Sequence, residues 1–157
     1  MTRRIDPKSE DLGRWAVTAA VAKDSDQLLA AFDAIGSASQ EIAENALALY
    51  TAVARAALLA IHDGEVPSER QNRELADDVL RDESTWSPIQ AEDVYQFLEG
   101  LCSDTTAPDI PPERFPTTMF VTLGHLVKWY DAGLGYKHYD DFLDALIAGR
   151  LKKGEPS

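Results

Sequence analysis

The stretch "SQEIAENALALYTAVARAALLAIH", residues 39–62, decides the fold of this chain. It runs without proline or glycine, and its larger apolar residues recur at helical spacing, which predicts one helix about 36 Å long. Eight of its residues are alanine, a side chain small enough to let neighbouring helix axes approach to about 8 Å. We therefore expect this segment to be a central helix with other helices packed around it.

Six further segments show helical periodicity, and no segment alternates apolar and polar residues over the length of a strand. They span about residues 7–22, 26–35, 68–81, 87–101, 117–132 and 138–151. The stretches 37–40, 68–71 and 87–90 each begin with serine and end with glutamine, the spacing of a capping box. Glycines end three of the helices in this prediction. Gly36 ends the second, Gly64 in a left-handed conformation ends the central one, and Gly133 or Gly135 ends the sixth.

Residues 103–116 hold four prolines and no helical period, which predicts a loop. The segments about 1–5 and 152–157 are expected to be flexible ends. Because the helices flanking the loop have apolar faces too narrow for separate cores, we expect residues 1–157 to form a single domain. The predicted fold is all-α, a bundle of six to seven helices around the long central helix at about 39–62.

The chain is acidic, with a net charge of -12, and the charge is concentrated in the middle. Residues 63–115 carry fourteen acidic and four basic side chains. Such a surface repels phosphate backbones, so nucleic-acid binding is not expected.

The cysteine content and the hydropathy of the chain indicate its cellular compartment. Cys102 is the single cysteine, which excludes an intrachain disulfide and favours a reducing environment. No uninterrupted run of about 18 apolar residues is present, and the N-terminus lacks an apolar stretch of signal-peptide type. We therefore expect a cytoplasmic protein without a membrane-spanning helix.

Two short acidic motifs suggest an enzymatic alternative. "EIAE" places Glu41 and Glu44 on one face of the central helix, and "ELAD" places Glu74 and Asp77 on one face of the fourth. The pattern resembles that of the all-helical nucleotide pyrophosphohydrolases, which use E-x-x-E followed by E-x-x-D. The resemblance implies a magnesium-dependent enzyme in which these four carboxylates hold the metal. If the two helices run antiparallel, however, the motifs are offset by about 15–20 Å along the axis, too far to share one ion.

The stretch "WYDAGLGYKHYDDF", residues 129–142, is rich in aromatic residues and has two interpretations. A turn between two helices accounts for the glycines and the acidic first helical turn. Alternatively, Trp129, Tyr136 and His138 line a pocket for a small molecule, with His138 as the titrating group.

No P-loop, dinucleotide-binding, nucleophile-elbow or histidine metal motif is found in the sequence. We therefore expect no metal, no cofactor and no catalytic residue outside the magnesium alternative. The alanine-rich central helix and a C-terminal part that holds ten of the thirteen aromatic residues both favour helix association. The first functional expectation is a helical module that binds an unidentified protein partner in a regulatory, adaptor or immunity-like role, and that forms a homodimer.

Overall fold

The computed structural model describes residues 6–103, 110–131 and 136–149, with the backbone alone at 130 and 131. Within these ranges the chain forms seven α-helices and a short 3-10 helix, and no strand. The helices are α1 (Pro7–Val21), α2 (Ser25–Ser37), α3 (Gln40–Ile61), α4 (Glu69–Glu83), α5 (Ala91–Ser103), α6 (Phe115–Val127), the 3-10 helix (Lys128–Asp131) and α7 (Tyr139–Ala148). The predicted all-α bundle is confirmed. The predicted flexible ends and the middle of the predicted loop lie outside the described residues.

Side chains at the helix starts explain most of these boundaries. Asp6, Asp24 and Ser68 each accept a hydrogen bond from a backbone N–H of the first helical turn, which satisfies one of the donors that a helix start leaves unpaired. Ser68 and Gln71 form the predicted capping box. Shortly after the C-terminal end of α3, Gly64 has the predicted left-handed conformation, with φ 86°.

The start of α3 and the end of α2 differ from the prediction. Ser39, and not Ser37, caps α3 and accepts from the Ile42 N–H at 3.2 Å. Gly36 lies inside α2, which continues to Ser37. The capping pattern alone could not choose between the two serines, because both precede the same helix.

The predicted start of α5 is also wrong, since the helix begins at Ala91 and not at 87–88. The Ser87 N–H continues the end of α4 by donating to the Glu83 carbonyl at 3.1 Å. Ile89 is buried in the core. The segment between α4 and α5 is thus held in an irregular turn by its contacts with the bundle, which override its local capping pattern.

Helices α1, α3 and α6 pack against one another at the centre of the bundle. Tyr50 of α3 is fully buried, and its hydroxyl donates to the Glu10 carbonyl at 2.7 Å. Its ring covers Gly13 of α1, where a Cβ atom would overlap the ring. Phe120 of α6 lies beside it, with 5.8 Å between ring centroids. Glycine is therefore required at position 13, because the buried ring cannot move away.

The central helix also has the length and composition of a membrane-spanning segment, alone among the described helices. The core helix of a soluble protein meets the same criterion. Seven α3 residues are buried against neighbouring helices here. By length and composition α3 is thus the one candidate membrane-spanning helix among the described residues, and 33% of its most apolar window is buried in the bundle.

We predict that Gly124→Ala destabilises the protein. A Cβ at Gly124 of α6 would lie 2.7 Å from the Ala20 Cβ and 3.3 Å from the Ala20 backbone carbon of α1. Overpacking at such a site costs about 1–3 kcal/mol, which outweighs the gain of roughly 1 kcal/mol from alanine in a helix. Urea unfolding measures the change.

Gly36→Ala is the matched control, because nothing lies within 4 Å of the added Cβ. It should be neutral or stabilising by up to about 1 kcal/mol. If Gly124→Ala were as stable as Gly36→Ala, α1 and α6 would not be in close contact.

Candidate functional site

One cleft in the described part of the chain combines charged groups with an exposed aromatic ring. It lies where the end of α1, the C-terminal half of α4 and the end of α6 meet, and it has a volume of about 520 Å³. Its lining residues are Lys23, Asp78, Arg81, Asp82, His125, Lys128 and Trp129. Three of these side chains are lysine or arginine, although the chain as a whole is strongly acidic.

A buried carboxylate lies beside this cleft. Glu83, the last residue of α4, is 1% exposed. Its Oε1 accepts from Trp86 Nε1 at 2.7 Å, and its Oε2 lies 3.0 Å from His125 Nδ1 and 3.1 Å from Lys128 Nζ. A buried charge is tolerated only when it is paired and hydrogen-bonded. Three donors from two regions of the chain meet that requirement here.

The same contacts determine the protonation state of Glu83. Burial by itself would raise the pKa of this carboxyl, but hydrogen bonds from His125, Trp86 and Lys128, with the Lys128 charge, outweigh burial and lower the pKa to about 2. Glu83 is therefore ionised at neutral pH.

The ionised carboxylate assigns the tautomer of His125. An ionised carboxylate can only accept, so His125 Nδ1 carries the proton that it donates to Glu83. Apart from Glu83 and the Asp82 carboxylate at 3.8 Å, His125 contacts no charged group among the described residues. No serine, threonine or cysteine of the described ranges is hydrogen-bonded to it, so the pair lacks the nucleophile of a catalytic triad.

The three residues predicted to line an aromatic pocket have different surroundings. Trp129 lines the cleft and is 39% exposed. Tyr136 is buried and stacks on Phe142 with 5.2 Å between ring centroids. His138 caps α7, where its Nδ1 accepts from the Asp140 N–H at 3.4 Å. Neither Tyr136 nor His138 belongs to the lining of the cleft, so Trp129 is the member of the predicted set that the cleft contains. The glycines of this stretch lie outside the described residues.

The four carboxylates of the magnesium alternative are all exposed. Glu44 accepts from Gln40 at 2.8 Å, and Glu74 pairs with Arg70 at 3.4 Å. Helix α4, which carries Glu74 and Asp77, packs chiefly on α5 and not along α3. Across the described ranges, no group of three or more histidine, cysteine, aspartate and glutamate side chains is arranged to hold a metal ion. The geometry therefore gives the magnesium alternative no support.

Cys102 is half-buried, and its Sγ lies 3.3 Å from Asn72 Nδ2. Burial raises the pKa of this thiol. A protonated, partly buried thiol is a poor nucleophile, which favours a packing role.

Sequence reasoning missed Glu83 and His125, although the pattern contains a signal for each. Glu83 follows Leu75 and Val79 at intervals of four, so it lies on the buried face of α4. His125 is the histidine within the apolar run of α6. Both are polar residues at core positions, and such residues require a partner.

A scan against protein-family models found no match, and searches of curated proteins and of solved structures found no significant match.

We predict that Glu83→Gln removes a pH-dependent part of the stability. Since the folded pKa of about 2 lies below the ordinary value of 4.5, the ionised carboxylate stabilises the fold fully above pH 4.5 and progressively less towards pH 2. This shift corresponds to roughly 3 kcal/mol. Urea unfolding should show the variant less stable at pH 7 by about that amount, and the difference should shrink as pH falls from 4.5 to 2.

Glu41→Gln is the matched control, because Glu41 is exposed at the start of α3. It should change stability by less than about 0.5 kcal/mol at any pH. A gap between Glu83→Gln and the wild type that does not vary with pH would contradict the proposed role of the charge.

Proposed function

We propose that the protein acts by binding protein chains rather than by catalysis, as a regulatory, adaptor or immunity-like module, and that it self-associates as a homodimer through α3. The observation that carries this proposal is the accessible face of α3. Only 33% of the residues in its most apolar stretch are buried. A helix this apolar is usually covered on most sides.

The accessible face of α3 has small residues at its centre. Ala48 and Ala52 are exposed, while Arg55 and Leu59 beside them are half-buried. Together with Asn45 they follow one another at intervals of three and four residues, so they form one seam along the helix. Because alanine lets backbones approach closely, this seam is suited to receive another helix.

A second copy of α3 fits this seam when it runs antiparallel. Closed dimers use the same patch on both copies. With the two-fold axis between positions 48 and 52, Ala48 of one copy meets Ala52 of the other. Asn45 then faces Arg55 of the second copy at both ends of the alanine contact. The Arg55 Nε donates to the Leu101 carbonyl of its own chain at 2.9 Å, so its terminal guanidinium N–H groups are the donors for Asn45.

We place this activity in the cytoplasm, away from nucleic acid. The single cysteine and the net charge of -12 support this placement, because the first suits a reducing compartment and the second repels phosphate backbones.

We predict that the wild-type protein sediments as a dimer at micromolar concentration and that Ala48→Arg weakens the dimer at least about tenfold, because symmetry places two buried guanidinium groups at the contact. Sedimentation velocity over a concentration series measures the dissociation constant. Below the wild-type dissociation constant, where both proteins are monomers, Ala48→Arg should melt at the same temperature as the wild type, since Ala48 is exposed in the single chain.

Ala148→Arg serves as the control, because Ala148 is an exposed alanine in the last turn of α7. It should leave the dissociation constant unchanged. A wild-type monomer at every concentration, or a dimer equally insensitive to both substitutions, would rule out self-association through α3.

A further inference from the structure

The cleft between α1, α4 and α6 carries an inference that is independent of the α3 surface. Its volume of about 520 Å³ lies within the range of small-molecule sites, roughly 300–1,000 Å³. Its charged groups and its aromatic residue suggest which class of molecule it takes.

Most of the charges around the cleft compensate one another. Arg81 lies 2.6 Å from the Asp78 carboxylate and 3.8 Å from that of Asp82. Lys128 is paired with the buried Glu83. Two cations, Arg81 and Lys128, thus face three carboxylates, Asp78, Asp82 and Glu83, so the walls formed by α4 and α6 carry one excess negative charge.

Lys23 differs from the other cations of the cleft. Its Nζ donates to the backbone carbonyl of Asp82 at 3.1 Å, and no carboxylate of the described residues lies within ion-pair distance of it. Its ammonium group therefore forms no ion pair with a side chain of the described residues. An anionic group entering the cleft would pair with this ammonium without displacing an existing partner.

The backbone of Lys23 adopts a conformation that favours glycine. Its φ of 58° is in the left-handed region, and the Asp24 N–H donates to the Ala19 carbonyl at 2.9 Å, as in a glycine-terminated helix end. A non-glycine residue in this conformation costs about 1 kcal/mol or more. Glycine would end α1 without this cost, whereas lysine supplies a cation to the cleft.

Trp129 provides an apolar surface in the same cleft. It follows Lys128 in the 3-10 helix and is 39% exposed. A large exposed aromatic side chain and a cation without an ion-pair partner in one cleft are typical of sites that hold a flat molecule by its ring and its charged group.

We propose that this cleft binds a small organic anion with a flat aromatic body, an aromatic carboxylate in its simplest form, with the carboxylate paired to Lys23 and the ring against Trp129.

The test uses naphthoate as the anionic probe and naphthamide as its neutral counterpart of the same shape. Isothermal titration of the full-length protein at low salt should show naphthoate binding about tenfold more tightly than naphthamide, the effect of one charge-assisted contact. Added salt should weaken naphthoate binding and leave naphthamide binding unchanged.

Two variants test the contributions of the Lys23 charge and of the Trp129 ring separately. Lys23→Gly keeps the left-handed backbone and should reduce naphthoate affinity about tenfold, to the level of naphthamide. Trp129→Ala should weaken both probes by a similar factor, several-fold to about tenfold. Circular dichroism and the melting temperature establish that both variants fold.

Two exposed residues outside the cleft serve as controls. Trp15 is 37% exposed, close to the value for Trp129, and Lys137 is exposed. Trp15→Ala and Lys137→Gln should bind both probes as the wild type does. Equal affinity for the acid and the amide, an equal loss in the control variants, or no naphthoate binding up to about 5 mM would each overturn the proposal.

Discussion

The close approach of α1 and α6 is the constraint on which the rest of the structure depends. Gly124 of α6 lies against Ala20 of α1, and a single methyl group already fills the space between the two helices. Each of these residues is followed shortly by a residue of the cleft, His125 after Gly124 and Lys23 after Ala20. Tight packing of small residues therefore brings the ends of two helices, distant in sequence, to one place.

The buried Glu83 depends on that arrangement. A carboxylate with 1% exposure needs donors on several sides, and two of its three come from the end of α6. The third, Trp86, comes from the turn that follows α4. The network thus attaches the C-terminal end of α4, the most charged helix of the bundle, to the end of α6, and that attachment forms one wall of the cleft.

The two proposed binding surfaces use different physical properties and different helices. The seam on α3 has alanine side chains at its centre and polar side chains towards its ends. In an antiparallel pair of helices the same residues would face each other, which suits a second copy of α3. The cleft is concave and is lined by Trp129 and by the Lys23 ammonium, which has no ion-pair partner among the described residues. These features suit a small aromatic anion. The two surfaces share no residue, so the binding of a protein partner and the binding of a small ligand can be measured separately.

The sequence by itself determined the elements that depend on near neighbours: the seven helices, the capping box of Ser68 and Gln71, and the left-handed Gly64. These rest on hydrogen bonds and periodicity within a few residues, which the order of the side chains dictates. Tertiary structure decided the start of α5, where contacts with the bundle override a strong local capping signal, and the separation of Trp129 from Tyr136 and His138. It also decided the partners of Glu83, because His125 and Lys128 lie 42 and 45 residues away along the chain. Which helix faces contact each other over such distances in sequence depends on how the helices pack.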